Sequence, residues 1–199
     1  MQPILLASSS LYRRSLLAKL GLPFDWAAPA IDESAHAGEQ ADALVARLSQ
    51  AKAQALAATN PNSLIIGSDQ VAVIDNKIIG KPHTQERAFA QLRAASGREV
   101  VFKTGLCLLN TSTTKSQIAV ESFSVFFKEL SDAQINGYLN LEKPYDCAGS
   151  FKAEGLGISL FTRLCGDDPN ILVGLPLIRL VEMLVREGID PLLNNHSNQ

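Results

Sequence analysis

Residues 3–21 carry the stretch PILLASSSLYRRSLLAKLG, in which an apolar run meets three serines and an amphipathic segment. The run 3–7 is typical of a short buried strand, and leucines at helical spacing follow it. One of the serines can cap the helix, and Gly21 can end it in the left-handed conformation. This stretch therefore predicts a strand, a polar turn and a helix in succession.

Further helices and strands follow in mixed order. Helices are predicted over residues 42–58, 85–95, 131–141 and 176–187, and strands over 64–67, 71–74, 77–79, 99–109, 116–127 and 158–163. Thr84, Ser131 and Pro176 mark helix starts, Pro176 at a first helical position. Asp75 and Asn76, between two of the strands, are typical of a hairpin turn. The pattern predicts an α/β protein with a mixed twisted sheet flanked by helices, in two lobes around a cleft. A single domain is expected over 1–194, with a disordered tail over 195–199.

The composition is that of an ordinary globular protein. Of the 199 residues, 46% are hydrophobic and 19% are charged, and the formal net charge is −2. A nonspecific nucleic-acid binder would need a basic excess, so no nucleic-acid polymer is expected as a partner. Three cysteines without C-x-x-C spacing argue against a disulfide framework or a zinc ribbon. No apolar run is long enough for a signal peptide or a membrane span, so no membrane partner and a cytoplasmic location are expected.

The start of the first helix is a candidate anion site. Hydroxyl and N–H groups at a helix N-terminus attract phosphate, and Arg13 adds a guanidinium group one turn into the helix. Ser8 is among the serines that could contribute a hydroxyl group. The alternative is an ordinary serine-capped helix with solvated arginines.

Two further residues are candidates for phosphate chemistry. Asp69 follows the apolar run 64–67 and is expected at the carboxyl end of a strand, where it could hold a divalent cation or activate water. The alternative is a turn aspartate that caps nearby N–H groups. Lys81 lies between a glycine and a proline and could contact a phosphate, or it could be a surface lysine after a hairpin.

Two acids and one lysine complete the candidates. Glu33 lies in a loop and could be a metal ligand. Lys52 falls in a helix rich in small and apolar residues and could point into a cleft, although a solvated helix face is the alternative. Glu154 sits in the glycine-rich stretch 149–157, either presented by a shaped loop or simply exposed. The buried face of the lysine-bearing helix is predicted to contain Leu44, Leu48, Ala51 and Ala55.

The sequence resembles the Maf family of nucleoside triphosphate pyrophosphatases. The matching segments occur in the family's order from about residue 4 to residue 187. They are residues 5–10, 13–14, 16–17, 51–53, 66–69, 80–82, 92–97, 148–155 and 173–177. The resemblance implies a Maf/ITPase-like fold with a nucleotide-binding cleft. It also implies hydrolysis of a nucleoside triphosphate to the monophosphate and diphosphate, with a divalent cation such as Mg²⁺ or Mn²⁺.

The resemblance also implies residue roles. Asp69 matches the family's general base, and Glu33 and Asp69 match positions of the metal site. The positions that hold the phosphates are Ser8, Arg13, Lys52 and Lys81. The family often forms dimers, so a homodimer is a further expectation.

Three positions indicate the branch of the family. Tyr12, Gln70 and Glu154 stand where the dTTP/UTP enzymes have arginine, threonine and glutamine, and they resemble the branch that acts on 7-methyl-GTP. A carboxylate can accept both donors of a guanine edge, and the positively charged methylated ring favours an aromatic face. Leu11 replaces the proline usual in this motif, and Tyr12 replaces the expected tryptophan, so weaker stacking is expected.

Two other functions are compatible with the sequence. One is a dTTP/UTP pyrophosphatase of the same family. The other is a nucleotide-binding regulator of cell division without catalysis. A binder has no need of a water-activating acid, so Asp69 favours an enzyme that removes modified nucleotides from the pool.

Overall fold

A computed structural model describes residues 2–194 of the protein, and the tail predicted over 195–199 lies outside these residues. The helices are α1 Leu11–Ala18, α2 Ala41–Ala55, α3 Gln85–Ala95, α4 Asp132–Glu142, α5 Leu177–Arg186 and α6 Pro191–Asn194. The strands are β1 Ile4–Ala7, β2 Asp25–Ala27, β3 Leu64–Ile74, β4 Lys77–Ile79, β5 Glu99–Asn110, β6 Lys115–Phe127 and β7 Phe161–Cys165. Short 3₁₀ turns cover Ala148–Ser150, Leu156–Leu160 and Pro169–Val173.

Within these residues seven strands form one sheet. Its order is β2-β1-β3-β5-β6-β7, and β4 pairs with β3. β1 runs parallel to both β2 and β3, with Leu6 opposite Trp26 on one side and Ile66 on the other. β4 and β7 run antiparallel to β3 and β6 respectively. The predicted mixed α/β class is therefore confirmed.

The chain divides into two compact units. Among the described residues, the first unit contains 2–69, Thr104–Glu121 and 174–194. The second unit contains Gln70–Lys103 and Ser122–Val173. Strands β3, β5 and β6 each pass from one unit into the other. The single domain predicted over 1–194 stays a prediction.

Each unit has its own buried apolar cluster. In the first unit the cluster joins β1, α2, β3 and β5 through Leu5, Ala7, Ala53, Ile65, Cys107 and Leu109. The larger cluster of the second unit is centred on phenylalanine rings that meet edge to face, including Phe102, Phe127, Phe151 and Phe161. Edge-to-face packing matches the positive ring edge to the negative ring face.

Two glycines allow α2 to lie directly on the sheet. A Cβ atom at Gly67 of β3 would lie 2.0 Å from the carbonyl oxygen of Ser49, and one at Gly105 of β5 would lie 2.0 Å from that of Val45. Ser49 and Val45 are four residues apart and so lie on the same face of α2. Only residues without a side chain permit this close approach of helix and sheet.

Several local predictions are confirmed. Ser10 and Thr84 cap α1 and α3, and Ser131 forms a capping box at the start of α4. The turn between β3 and β4 contains Asp75 and Asn76, both with positive φ, as short hairpin turns require.

Four other predictions are wrong. β3 continues through Asp69 because the strand extends to pair with β4, so this aspartate lies inside a strand and not at its carboxyl end. Its parallel neighbour β1 ends at Ala7, level with the preceding residues of β3. The strand predicted over 158–163 starts later, at Phe161, and continues to Cys165 as β7, because Leu156–Leu160 forms a 3₁₀ turn. The other two concern α2 and α5.

The buried face of α2 is rotated from the predicted one. Leu44 and Leu48 lie on it as predicted, but it also contains Lys52 and Ala53, while Ala51 is half-buried and Ala55 is exposed. The glycine contacts cause this rotation, because they turn the side of Ser49 and Val45 towards the sheet. In α5, Pro176 occupies the cap position before the helix.

Among the described residues, no helix has both the length and the apolar character needed to cross a membrane.

Candidate active site

A buried lysine between two carboxylates is the central feature of the first unit. Lys52 Nζ donates a hydrogen bond to Asp69 Oδ1 at 2.6 Å and lies 2.9 Å from Glu33 Oε1. Lys52 and Asp69 are buried, whereas the Glu33 side chain is 55% exposed. Because an isolated buried charge is costly, each buried group depends on the other.

The close contact of α2 with β3 positions this pair. Side chains two residues apart in a strand point to the same face, so Asp69 points the same way as the missing side chain of Gly67. That face is covered by Ser49 of α2. Lys52 is three residues further along α2, on the same side of the helix, and therefore reaches Asp69.

Arg13 belongs to the same group of charges. Burial lowers the pKa of its guanidinium group, and the nearby carboxylates of Asp69 and Glu33 act in the opposite direction. Ser10 accepts a hydrogen bond from the backbone N–H of Arg13 at 3.4 Å, and Ser8 Oγ accepts one from that of Ser10 at 3.2 Å. The turn formed by Ser8, Ser9 and Ser10, called the serine turn below, thus fixes the start of α1, which carries Arg13.

A backbone carbonyl far along the chain fixes the arginine. Arg13 Nε donates to the carbonyl oxygen of Gly174 at 2.7 Å, across 161 residues of sequence. Ser68 Oγ lies 2.9 Å from that oxygen and also 2.9 Å from the carbonyl oxygen of Gly105. Sequence reasoning assigned no role to Ser68 or Gly174. No local pattern could have identified them, because their partners are distant in the sequence.

The second unit contains Gln70, Lys81 and Glu154. Gln70 Nε2 donates to the carbonyl oxygen of Ile171. Lys81 and Glu154 are both exposed. Burial raises the pKa of the Cys147 thiol to about 11, and among smaller influences Glu154 raises it and Lys81 lowers it. Both charges therefore lie within electrostatic reach of Cys147.

The predicted site residues thus fall into two sets. Arg13, Glu33, Lys52 and Asp69 form one charged group in the first unit. Ser8 precedes this arginine in the serine turn, and Tyr12 adjoins it on α1 with 43% of its surface exposed. The second set is Gln70, Lys81 and Glu154.

The two predicted metal ligands are carboxylates, the type of ligand that a hard divalent cation prefers. Glu33 and Asp69, the predicted metal ligands, converge on one atom, Lys52 Nζ. Mg²⁺ is commonly held by one or two carboxylates together with substrate phosphates, and carboxylate oxygens also suit Mn²⁺. Within residues 2–194, no cluster of three or more histidine, cysteine or acidic side chains could hold a metal ion.

Fold and site together define an α/β protein in which two cationic side chains and two carboxylates form one charged group. Residues 3–187 match the family model described as Maf, Maf-like protein. The chain belongs to this family, which confirms the resemblance seen in the sequence.

Two named relatives align with nearly the whole chain. It is 58% identical over 190 residues to the 7-methyl-GTP pyrophosphatase of Pseudomonas aeruginosa, covering 96% of this chain and 99% of that protein. It is also 58% identical over 185 residues to the 7-methyl-GTP pyrophosphatase of Nitrosococcus oceani, covering 93% of each. Among solved structures, the Staphylococcus aureus Ham1 protein matches with a TM-score of 0.52 at 12% identity, covering 94% of this chain and 100% of that one. This last similarity concerns the fold alone.

Proposed function

We propose that this protein hydrolyses 7-methyl-GTP to 7-methyl-GMP and diphosphate and thereby removes a modified nucleotide from the pool. The relatives named 7-methyl-GTP pyrophosphatase, at about 58% identity over nearly their full length, support this substrate. The observation that carries the chemistry is the contact of Lys52 with Asp69 and Glu33, in the group that also includes Arg13.

The cationic side chains bind the triphosphate. Arg13 and Lys52 each supply a positive charge, and the start of α1 beside Ser8 adds backbone N–H groups that favour an anion. Lys81, from the second unit, is the further cation that we assign to the phosphates. These charges stabilise the leaving diphosphate, which gains negative charge as the anhydride bond breaks.

Asp69 acts as the general base. It accepts a proton from the water that attacks the anhydride, and the water oxygen becomes part of 7-methyl-GMP while diphosphate leaves. The hydrogen bond from Lys52 holds one carboxylate oxygen, Oδ1, so the other, Oδ2, is the atom that we assign to the water.

A divalent cation, Mg²⁺ or Mn²⁺, completes the proposal. Glu33 and Asp69 would hold it together with phosphate oxygens. When bound, the cation would supply charge neutralisation for the phosphates.

Base selection is assigned to the residues that distinguish the branch. Glu154 accepts hydrogen bonds from the N1–H and the amine of guanine, and Tyr12 offers an aromatic face to the charged ring. Uracil and thymine present carbonyls to the same carboxylate, so they are rejected. Gln70 is fixed by its hydrogen bond to Ile171 and is the third residue of this set.

The cytoplasm is the proposed location, because the three cysteines are free thiols, which suit a reducing compartment. No nucleic-acid polymer or membrane is proposed as a partner. The homodimer stays a prediction, to be checked by light scattering.

Diphosphate release by the purified protein tests the proposal. The substrates are 7-methyl-GTP, GTP, dTTP, UTP and CTP, each with Mg²⁺ or Mn²⁺. We expect preference for 7-methyl-GTP, loss of turnover with retained nucleotide affinity in Asp69→Asn, and weaker guanine selectivity in Glu154→Gln. Preference for dTTP or UTP would point to the other branch, and binding without any release would point to a regulator.

A further inference from the structure

The segment 152–156, which carries Glu154, is attached at both ends to the last turn of α4. Tyr138 Oη accepts a hydrogen bond from the backbone N–H of Lys152 at 3.0 Å. Glu142 Oε1 accepts one from the backbone N–H of Leu156 at 2.7 Å. Tyr138 and Glu142 are four residues apart and share one face of α4. One helix face therefore determines where this segment lies.

The Glu142 side chain packs closely against the segment. A Cβ atom at Gly155 would lie 2.6 Å from Glu142 Oε1, so the carboxylate lies directly against the glycine backbone. The Glu142 side chain is only 20% exposed. Its hydrogen bond to Leu156 N–H is charge-assisted and is thus stronger than one to a neutral acceptor.

Glu142 also holds Lys152, the lysine nearest to Glu154 in the sequence. Lys152 Nζ donates to the backbone carbonyl oxygen of Glu142 at 2.8 Å and lies 3.8 Å from Glu142 Oε2. This position at the end of α4 also suits a cation, because a helix C-terminus is electronegative. Lys152 is only two residues from Glu154, and an ion pair between those two would compete with a nucleotide base for the carboxylate.

We infer that Glu142 is a positioning residue for base selection. It fixes the backbone of 152–156, and it holds the Lys152 ammonium group away from Glu154, so that the Glu154 carboxylate is presented to the guanine edge. This inference rests on the proposed function, in which Glu154 reads the base.

Steady-state kinetics of Glu142→Ala and Glu142→Gln test the inference, with 7-methyl-GTP and UTP as substrates. In Glu142→Ala we expect KM for 7-methyl-GTP to rise about tenfold, the worth of one charge-assisted hydrogen bond, with kcat nearly unchanged. Selectivity over UTP falls by the same factor. Glu142→Gln retains most of the selectivity, because its amide oxygen can still accept from Leu156. Asp132→Ala, which removes an ion-paired carboxylate from the first turn of the same helix, is the control and keeps the wild-type ratio.

The wild-type protein separates failure of the inference from failure of the proposed function. A wild type that does not prefer 7-methyl-GTP overturns the proposed function itself. A wild type with this preference and a Glu142→Ala variant with an unchanged ratio overturn only the inference. If Glu142 acts through Glu154, adding Glu142→Ala to Glu154→Gln costs no further selectivity. Additive losses, or an equal rise in KM for both substrates, would show a merely structural role.

Discussion

Replacement of Gly67 by alanine should damage both stability and catalysis. The new Cβ atom would lie 2.0 Å from the carbonyl oxygen of Ser49, whereas real Cβ atoms essentially never approach another atom closer than 3.0 Å. Helix α2 and strand β3 must therefore separate by at least about 1 Å. Overpacking of this kind costs about 1–3 kcal/mol, or a fall of roughly 2–12 °C in the melting temperature for a chain of this size.

The same displacement reaches the charged group. A shift of about 1 Å would lengthen the 2.6 Å hydrogen bond between Lys52 and Asp69 to about 3.6 Å, beyond normal hydrogen-bond length. A misplacement of this size can lower a rate by about 10²-fold. Calorimetry and diphosphate release from 7-methyl-GTP measure the two effects, and Gly105→Ala, which presses on Val45 of the same helix, should behave alike.

The matched control is Gly137→Ala. Gly137 lies within α4, and a Cβ atom there would have no neighbour within 4 Å. Alanine should stabilise this helix by up to about 1 kcal/mol and leave catalysis unchanged. If Gly67→Ala has the same activity and melting temperature as Gly137→Ala, then Gly67 does not determine how closely α2 packs on β3 or where Lys52 lies.

Three more predictions concern the charges and thiols. Lys52→Met leaves the buried Asp69 carboxylate without its cation and should lower the free energy of unfolding, measured in urea, by about 3 kcal/mol. The double variant Lys52→Met/Asp69→Asn should recover part of this loss. No recovery would contradict the pairing of Lys52 with Asp69. Arg47 lowers the pKa of Glu39 to about 2, so the stability from this pair should be complete above the ordinary pKa of 4.5 and lost as the pH falls through about 2. In Arg47→Ala the pKa of Glu39, measured by NMR titration, should return towards 4.5. An unchanged value would show that the ion pair does not cause the lowered pKa. Exposed Cys165 should react with iodoacetamide at pH 8 before Cys147, because burial raises the pKa of the Cys147 thiol to about 11. Mass spectrometry of the peptides measures the order of reaction. The reverse order would contradict the burial of the Cys147 thiol.

Most helices and strands could be predicted because their signals are local. The caps at Thr84 and Ser131 need only the next three residues, and the hairpin at Asp75 and Asn76 needs only the turn itself. β2 was missed because Asp25–Ala27 has only three residues and begins with an aspartate, and its strand character comes from pairing with β1. The continuity of β3 through Asp69 likewise depends on a neighbouring strand.

The charged group could be predicted only in part. Lys52 and Asp69 were candidates by residue type, but the rotation of α2 that brings them together depends on glycines in two strands. The acceptor for Arg13 lies 161 residues away, so no periodicity or spacing could reveal it. The roles proposed for these residues come from the resemblance to the Maf family, because physical patterns alone do not assign them.

The contact between Arg13 and Gly174 has a consequence for synthesis on the ribosome. Arg13 emerges early, but the carbonyl group that fixes it belongs to the last stretch of the first unit, after all of the second unit has been translated. At ~5–20 residues per second, Gly174 follows Asp69 by roughly 5–20 s. Only at the end of this interval does the second unit have all of its residues, and the first unit then still lacks α5 and the carbonyl partner of its arginine. The carbonyl group that fixes Arg13 is therefore made only after the whole of the second unit has been translated.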